Sequence, residues 1–245
     1  MSLMLPPPVF CAIDTVDISR ARVLATTVTG SVAGFKIGLE FFHAHGAGGI
    51  QMVRQAGEAL PVFLDLKFHD IPSTVAGAVR GVMPLRPFML TVHASGGRAM
   101  LRAAAMACAE ESAKAGLPRP FLVAVTVLTS LDDTALAETG VAVAAADQVV
   151  RLAELAQACG LDGVVCSAHE VNRLRACCGA GFRLVVPGVR PVWAAARDDQ
   201  KRILTPAEAL AAGADILVIG RPITAALDPA DAAQRIASEI AEAPP

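Results

Sequence analysis

The sequence predicts an α/β protein with the architecture of a (β/α)8 TIM barrel. The chain has 245 residues, close to the roughly 250 residues that are typical of such barrels. Short runs of β-branched and apolar residues recur along it, and a stretch with helical character follows each run, which indicates a parallel sheet. No linker, low-complexity tract or abrupt change of charge divides the sequence. We therefore expect one domain over residues 1–245, with a short N-terminal tail at residues 1–8.

The predicted strands are continuous apolar runs, as expected for parallel strands that are covered on both faces. They are Val9–Ile13, Gly34–Ile37, Val62–Leu66, Met89–His93, Phe121–Val127, Gly163–Cys166, Arg183–Val186 and Ile216–Ile219. Their mean spacing is 245/8, or roughly 31 residues, which suits a strand–helix repeat. An open, doubly wound sheet is the competing architecture, but the even spacing of the units favours a closed barrel.

Alanine-rich segments fill the intervals between the strands. Arg98–Ala115 and Ala145–Cys159 are the clearest predicted helices, and they end before Gly116 and Gly160, since glycine commonly terminates a helix. Ala230–Glu242 is predicted as the last helix. This alternation of strands and helices places the carboxyl ends of all strands at one mouth of the barrel.

The composition excludes several classes of protein. Hydrophobic residues make up 54% and charged residues 18%, so enough apolar surface is available to bury and a disordered chain is excluded. No apolar run approaches the ~18 residues that a membrane-spanning helix needs. The 21 basic residues are balanced by 23 acidic ones, aromatic residues are only 4%, and tyrosine is absent. The sequence therefore predicts neither a nucleic-acid partner nor a membrane partner.

The N-terminus and the cysteines predict a cytoplasmic protein. Met1–Pro8 lacks a charged first region and carries three prolines where a signal peptide would be apolar. The six cysteines show no C-x-x-C spacing, so we expect free thiols rather than zinc ligands or disulfides.

Charged side chains cluster where three consecutive units meet the predicted mouth of the barrel. They are Asp14, Lys36, Asp65, Lys67 and Asp70. Asp65 and Lys67 share a face by the strand period of two, and Lys36 on the neighbouring strand is expected beside them. A single charge at a strand end is most simply a solvated loop residue. An alternating array, however, neutralises charges that would be costly to bury alone and keeps both lysines protonated.

The eighth predicted strand ends in a glycine and an arginine, Gly220 and Arg221. The loops after strands seven and eight of a barrel frequently bind phosphate, and Arg190 in the preceding loop is placed to join such a site. An ordinary turn with an exposed arginine is the alternative. His93 has no assigned catalytic role, and no histidine has the spacing of a metal ligand. No dinucleotide-binding motif is present.

Several segments together resemble the orotidine 5'-phosphate decarboxylase family. Phe63–Pro72, which reads Phe-Leu-Asp-Leu-Lys-Phe-His-Asp-Ile-Pro, is similar to that family's strand-three signature and is the most specific of them. The others are Lys36–Gly38, Val125–Ser130, Pro187–Arg190, Asp198–Gln200 and Gly220–Thr224. The resemblance extends from about Ala12 to Asp228.

The resemblance implies decarboxylation of orotidine 5'-monophosphate to UMP, the last step of de novo pyrimidine synthesis, without a metal or an organic cofactor. It implies that Lys67 protonates C6 of the pyrimidine, that Asp65 faces the substrate carboxylate and that Lys36 connects this network to the ribose. Asp70, together with Ile71 and Thr74, would come from the partner subunit of a homodimer with shared active sites.

The same resemblance implies further substrate contacts. Asp14 would hold a ribose hydroxyl, and Thr129 and Ser130 would lie near the ribose and the base. The remaining implied substrate-binding residues, which include those that would hold the phosphate, are Pro187, Arg190, Gln200, Gly220 and Arg221.

Two alternative functions remain open at the level of sequence. Metal-dependent sugar-phosphate decarboxylases and synthases of the same superfamily share the Asp-x-Lys-x-x-Asp spacing, but their second strand usually carries a carboxylate suited to Mg²⁺ where this chain has Lys36. A non-catalytic barrel that binds a phosphate ligand is the other alternative. Lys67 argues against it, because a binding module has no need of a proton donor placed among carboxylates.

Overall fold

The computed structural model describes residues 7–195 and 204–242, and within them eight parallel strands form a closed barrel in chain order. The predicted fold class is therefore confirmed. Of the predicted N-terminal tail, only Pro7 and Pro8 fall within the described residues. The strands are β1 Val9–Ile13, β2 Gly34–Ile37, β3 Val62–Phe68, β4 Met89–His93, β5 Phe121–Val125, β6 Gly163–Val165, β7 Arg183–Pro187 and β8 Ile216–Ile219.

Helices cover the outside of the barrel. They are α1 Ile18–Val28, α2 Leu39–Ala56, α3 Pro72–Val82, α4 Gly97–Ala115, α5 Asp133–Glu138, α6 Ala145–Ala158, α7 Val171–Cys178, α8 Val192–Ala195, α9 Pro206–Ala211, α10 Arg221–Thr224 and α11 Pro229–Glu242, with short 3-10 turns at Met83–Leu85, Ala94–Gly96 and Ala168–Glu170. In the described parts of the chain, no helix is long and apolar enough to cross a membrane.

Strand β5 ends two residues before its predicted end, at Val125, and β3 departs from its prediction in both length and register. It continues past Leu66 to Phe68, and its register against β4 shifts between Leu64, which pairs with Leu90, and Phe68, which pairs with Val92. Four steps along β3 therefore match two steps along β4, which is a bulge. The bulge lies between Leu64 and Phe68, at the carboxyl-terminal end of the strand.

The interior of the barrel changes from apolar to polar along its axis. An apolar cluster that includes Phe10, Phe63 and Met89 fills the amino-terminal half. Gly34 on β2 makes room for it, because a Cβ at this position would lie 2.5 Å from the Phe10 ring. One period of two further along the strands, Lys36 follows Gly34 and Asp65 follows Phe63. Polar side chains thus line the carboxyl-terminal mouth.

Candidate active site

The bulge in β3 is closed by a buried threonine from β4. The backbone N–H of Lys67 donates to the Oγ1 atom of Thr91 at 2.8 Å, and the Thr91 hydroxyl donates to Oδ1 of Asp65 at 3.1 Å. Lys67 has a φ of 50°, a left-handed conformation that is uncommon for a residue with a side chain. Thr91 therefore fixes the backbone geometry that turns the Lys67 side chain back toward Asp65.

Three of the five predicted charges meet around one carboxylate, and we call Lys36, Asp65 and Lys67 the lysine–aspartate cluster. The Nζ atom of Lys67 lies 2.7 Å from Oδ2 of Asp65, and the Nζ atom of Lys36 lies 3.3 Å from the same oxygen. Since Thr91 bonds to Oδ1, both oxygens of Asp65 have partners. The cluster contains two cations and one anion.

The position of Asp65 makes its charge sensitive to its neighbours. Only 7% of the residue is exposed. Burial would raise the pKa of the Asp65 carboxyl, but the charges and hydrogen bonds of Lys36 and Lys67 outweigh burial and hold the pKa below its ordinary value. Asp65 is therefore an ionised group at neutral pH, and it fixes the positions of both ammonium groups.

A cavity of about 220 Å³ opens above the lysine–aspartate cluster. The cluster forms its polar wall, while mainly apolar side chains from five strands or strand ends form the rest. The other lining residues are Phe63, Val125, Val127, Leu128, Thr129, Val165, Cys166, Pro187 and Val218. The predicted substrate residues Thr129 and Pro187 thus share this cavity with the cluster. Ser130, the next residue after Thr129, is exposed and is not among the lining residues.

Asp14, at the end of β1, and Lys36 of the cluster both lie close to the backbone of Gly38. A Cβ placed on Gly38 would lie 3.0 Å from Nζ of Lys36 and 3.3 Å from Oδ1 of Asp14. Glycine is thus the residue that lets both side chains approach the backbone after β2. Asp14 lies at the rim of the mouth and is exposed.

Asp70 lies apart from the cluster of its own chain. Within residues 7–195 and 204–242, it makes no ion pair with either cluster lysine, and its Oδ1 instead accepts the backbone N–H of Ile71 at 2.6 Å. Ile71 is 63% exposed. Asp70, Thr74 and Lys67 line a second cleft of about 310 Å³. Lys67 therefore stands between this cleft and the cavity above the cluster.

Two arginines mark the other side of the mouth. Arg221 begins the short helix α10, directly after Gly220, and Arg190 follows β7. Both line a cavity of about 540 Å³, to which Trp193 and Arg235 also contribute. The two arginines thus face a common cavity. Gln200, the other predicted phosphate residue, lies outside the described residues.

Sequence reasoning missed two features of this site. Thr91 was detectable as a polar residue inside an otherwise apolar strand, two positions before His93 and hence on the same face.

The second feature is a pair of histidines beside the cluster. The rings of His93 and His69 lie 5.3 Å apart between centroids. Burial, followed by the nearby His69 and Lys67, lowers the pKa of His93. A neutral imidazole therefore packs beside the β3 bulge at neutral pH.

Comparisons with known proteins agree with this geometry. A family model described as the orotidine 5'-phosphate decarboxylase / HUMPS family matches residues 7–236. The orotidine 5'-phosphate decarboxylase of Rhodospirillum rubrum is 58% identical over 240 residues, 98% of this chain and 96% of that protein. That of Paramagnetospirillum magneticum is 55% identical over 95% of this chain and 98% of that protein. The crystal structure of the Lactobacillus acidophilus enzyme superposes with a TM-score of 0.82 at 35% identity, over 96% of this chain and 99% of that one.

Proposed function

The chain belongs to the orotidine 5'-phosphate decarboxylase / HUMPS family, and we propose that it converts orotidine 5'-monophosphate to UMP and carbon dioxide, the last step of de novo pyrimidine synthesis. The observation that carries this proposal is the lysine–aspartate cluster at the carboxyl-terminal mouth of the barrel. It presents two ammonium groups and one carboxylate to a cavity that is otherwise lined mainly by apolar side chains.

The cluster suits a reaction that leaves negative charge on carbon. Loss of carbon dioxide leaves an electron pair at C6 of the pyrimidine, and the Lys67 ammonium stabilises this charge and then donates its proton to C6. Because Asp65 and the Thr91 bond already fix the position of Lys67, little reorganisation is needed as the charge develops. Asp65 faces the departing carboxylate, and Lys36 connects the cluster to the ribose.

The phosphate of the substrate is assigned to the opposite side of the mouth. Arg190 and Arg221 would hold it, with Gly220 allowing close approach of the backbone and Gln200 as a further partner. The ribose and base are assigned to Asp14, Thr129, Ser130 and Pro187. Phosphate binding far from C6 supplies energy for aligning the pyrimidine on Lys67.

A direct assay separates this enzyme from a barrel that only binds a phosphate ligand. Incubation of the purified protein with orotidine 5'-monophosphate should remove the absorbance of the orotate ring and release one UMP per substrate. Binding of UMP without any loss of that absorbance would instead support the non-catalytic alternative.

Removal of metal ions separates the proposed enzyme from the metal-dependent sugar-phosphate enzymes of the superfamily. Mg²⁺ binds through carboxylate oxygens, but both oxygens of Asp65 already bond to this chain. In the described part of the chain, no group of three His, Cys, Asp or Glu side chains could hold a metal ion. We expect treatment with a chelator to leave decarboxylation unchanged within about twofold. A loss of activity that Mg²⁺ restores would contradict the proposal.

We propose that the active site is completed by a second copy of the chain. The lysine–aspartate cluster has one more cation than anions, while Asp70 makes no ion pair with its own chain's cluster lysines. Asp70 and the exposed Ile71 lead into α3, which presents Thr74 to the same cleft. A homodimer in which this segment reaches the partner's cluster would balance its charge.

Mixing two inactive variants tests the shared site. Lys67→Ala and Asp70→Ala should each be inactive as homodimers. After subunit exchange at equal concentrations, half of the dimers are hybrids with one intact site out of two, so about a quarter of wild-type activity should return. Mixing Lys67→Ala with Lys36→Ala is the matched control, because both residues belong to one chain's cluster and no intact site can form. Absence of recovery in the first mixture would show that Asp70 does not serve the partner.

A further inference from the structure

The last helix, α11, packs on the segment that carries Arg190. The guanidinium carbon of Arg235 lies 4.4 Å from the centroid of the Trp193 ring, a cation–π geometry. One turn further along α11, Glu239 lies beside the backbone of Val192: burial raises the pKa of the Glu239 carboxyl, and the backbone N–H of Val192 opposes that change. Residues four apart lie on one helix face, so a single face of α11 contacts both residues at the start of α8.

This contact adjoins the two arginines assigned to the phosphate. Arg190 precedes Trp193 by three residues, and Trp193 and Arg235 line the same cavity as Arg190 and Arg221. The Arg235 guanidinium contacts the Trp193 ring and also forms an ion pair with Asp231. In this pair, Nη1 of Arg235 lies 3.7 Å from Oδ2 of Asp231. Its contacts therefore serve to hold α8 rather than to place a third arginine on the ligand.

We propose that Arg235 and Trp193 are positioning residues for the substrate phosphate. By clamping α8 onto α11, they hold Arg190 so that it faces the same anion as Arg221. This inference rests on the proposed function. If α8 is already held in place before the substrate binds, binding does not include the entropic cost of ordering this segment. The contact between Arg235 and Trp193 therefore affects the affinity for the substrate phosphate, and it does not alter the lysine–aspartate cluster.

The experiment compares Arg235→Ala with Gln234→Ala. Gln234 is the adjacent residue on α11, but it accepts a hydrogen bond from Ser31 instead of contacting α8. For Arg235→Ala, KM for orotidine 5'-monophosphate and the inhibition constant of UMP should rise roughly five- to tenfold, with kcat changed less than about twofold. Inhibition by uridine, which lacks the phosphate, should stay unchanged. Gln234→Ala should match the wild type in all four measurements.

Further variants identify the contact itself. Trp193→Phe keeps an aromatic face and should recover most of the loss seen in Trp193→Ala. The double variant Trp193→Ala, Arg235→Ala should be no weaker than the weaker single variant, because both changes remove one interaction. Unchanged KM in Arg235→Ala, or an equal weakening of UMP and uridine, would overturn the inference. An inactive wild-type protein would instead overturn the proposed function.

Discussion

Replacement of Lys67 by alanine should lower kcat for orotidine 5'-monophosphate by at least about 10³-fold, the combined effect expected from loss of a proton donor and of a fixed charge. Lys67 is the cluster lysine whose Nζ lies 2.7 Å from Asp65 and which borders both the cavity and the Asp70 cleft. In the variant, Asp65 keeps Lys36 and Thr91 as partners, so the fold should persist. The inhibition constant of UMP should change only a few-fold, because the phosphate side of the mouth is intact.

Two further variants separate the loss of a proton donor from the loss of a positive charge and from a general effect of removing a lysine. Lys67→Arg keeps the positive charge, but a guanidinium does not release a proton in proteins. It should therefore remain at least about 10²-fold below wild type if proton donation is required. Lys114→Ala is the matched control, since Lys114 pairs with Glu111 on the outside of α4 and should be as active as wild type. Turnover of Lys67→Ala within tenfold of wild type would contradict the assigned role.

The positions of the strands were predictable because parallel strands that are buried on both faces have continuous apolar sequences. Four of the eight predicted strands have the observed bounds, β6 and β7 differ from them by one residue at the carboxyl end, and β3 and β5 differ by two. What the sequence did not reveal is how β3 ends. Its bulge is closed by a hydrogen bond from Lys67 to Thr91, 24 residues away. A polar residue in an apolar strand was visible at Thr91, but no local pattern identifies Lys67 as its partner. The strand period of two correctly paired Asp65 with Lys67, although the backbone between them is not regular.

The site was predictable to the extent that its residues lie at strand ends. Lys36, Asp65 and Lys67 come together because the register of neighbouring strands in a barrel places their carboxyl ends at one mouth. Asp70 does not join them within its chain, since it lies beyond the strand and its direction depends on packing. The contact of Arg235 with Trp193 was likewise not predictable from the sequence, because it joins the helices α11 and α8 through tertiary contact alone.

Replacement of Asp65 by asparagine should affect both activity and stability. The amide keeps the shape of the side chain but removes the charge that holds Lys36 and Lys67 at one oxygen, so the two ammonium groups repel each other and move apart. We expect kcat to fall by about 10²- to 10³-fold through loss of preorganisation. The free energy of unfolding at neutral pH should fall by roughly 3 kcal/mol, the range found when one partner of a buried ion pair is removed.

The pH dependence of this stability loss distinguishes lost charge from altered packing. The pKa of Asp65 is held below its ordinary value, so its contribution to stability is present above the carboxyl pKa of the unfolded chain and is lost as pH falls through the lower pKa of the folded state. The difference between wild type and Asp65→Asn in urea unfolding should therefore shrink under acidic conditions.

The control for this measurement is Asp147→Asn, which removes a solvent-exposed ion pair with Arg173 and should cost less than about 1 kcal/mol at any pH. All three proteins must be compared at one concentration, because the proposed homodimer would gain stability by mass action. If the deficit of Asp65→Asn stayed constant from neutral to acidic pH, packing of the side chain would be its cause. The charge of Asp65 would then not be what holds the two lysines in place.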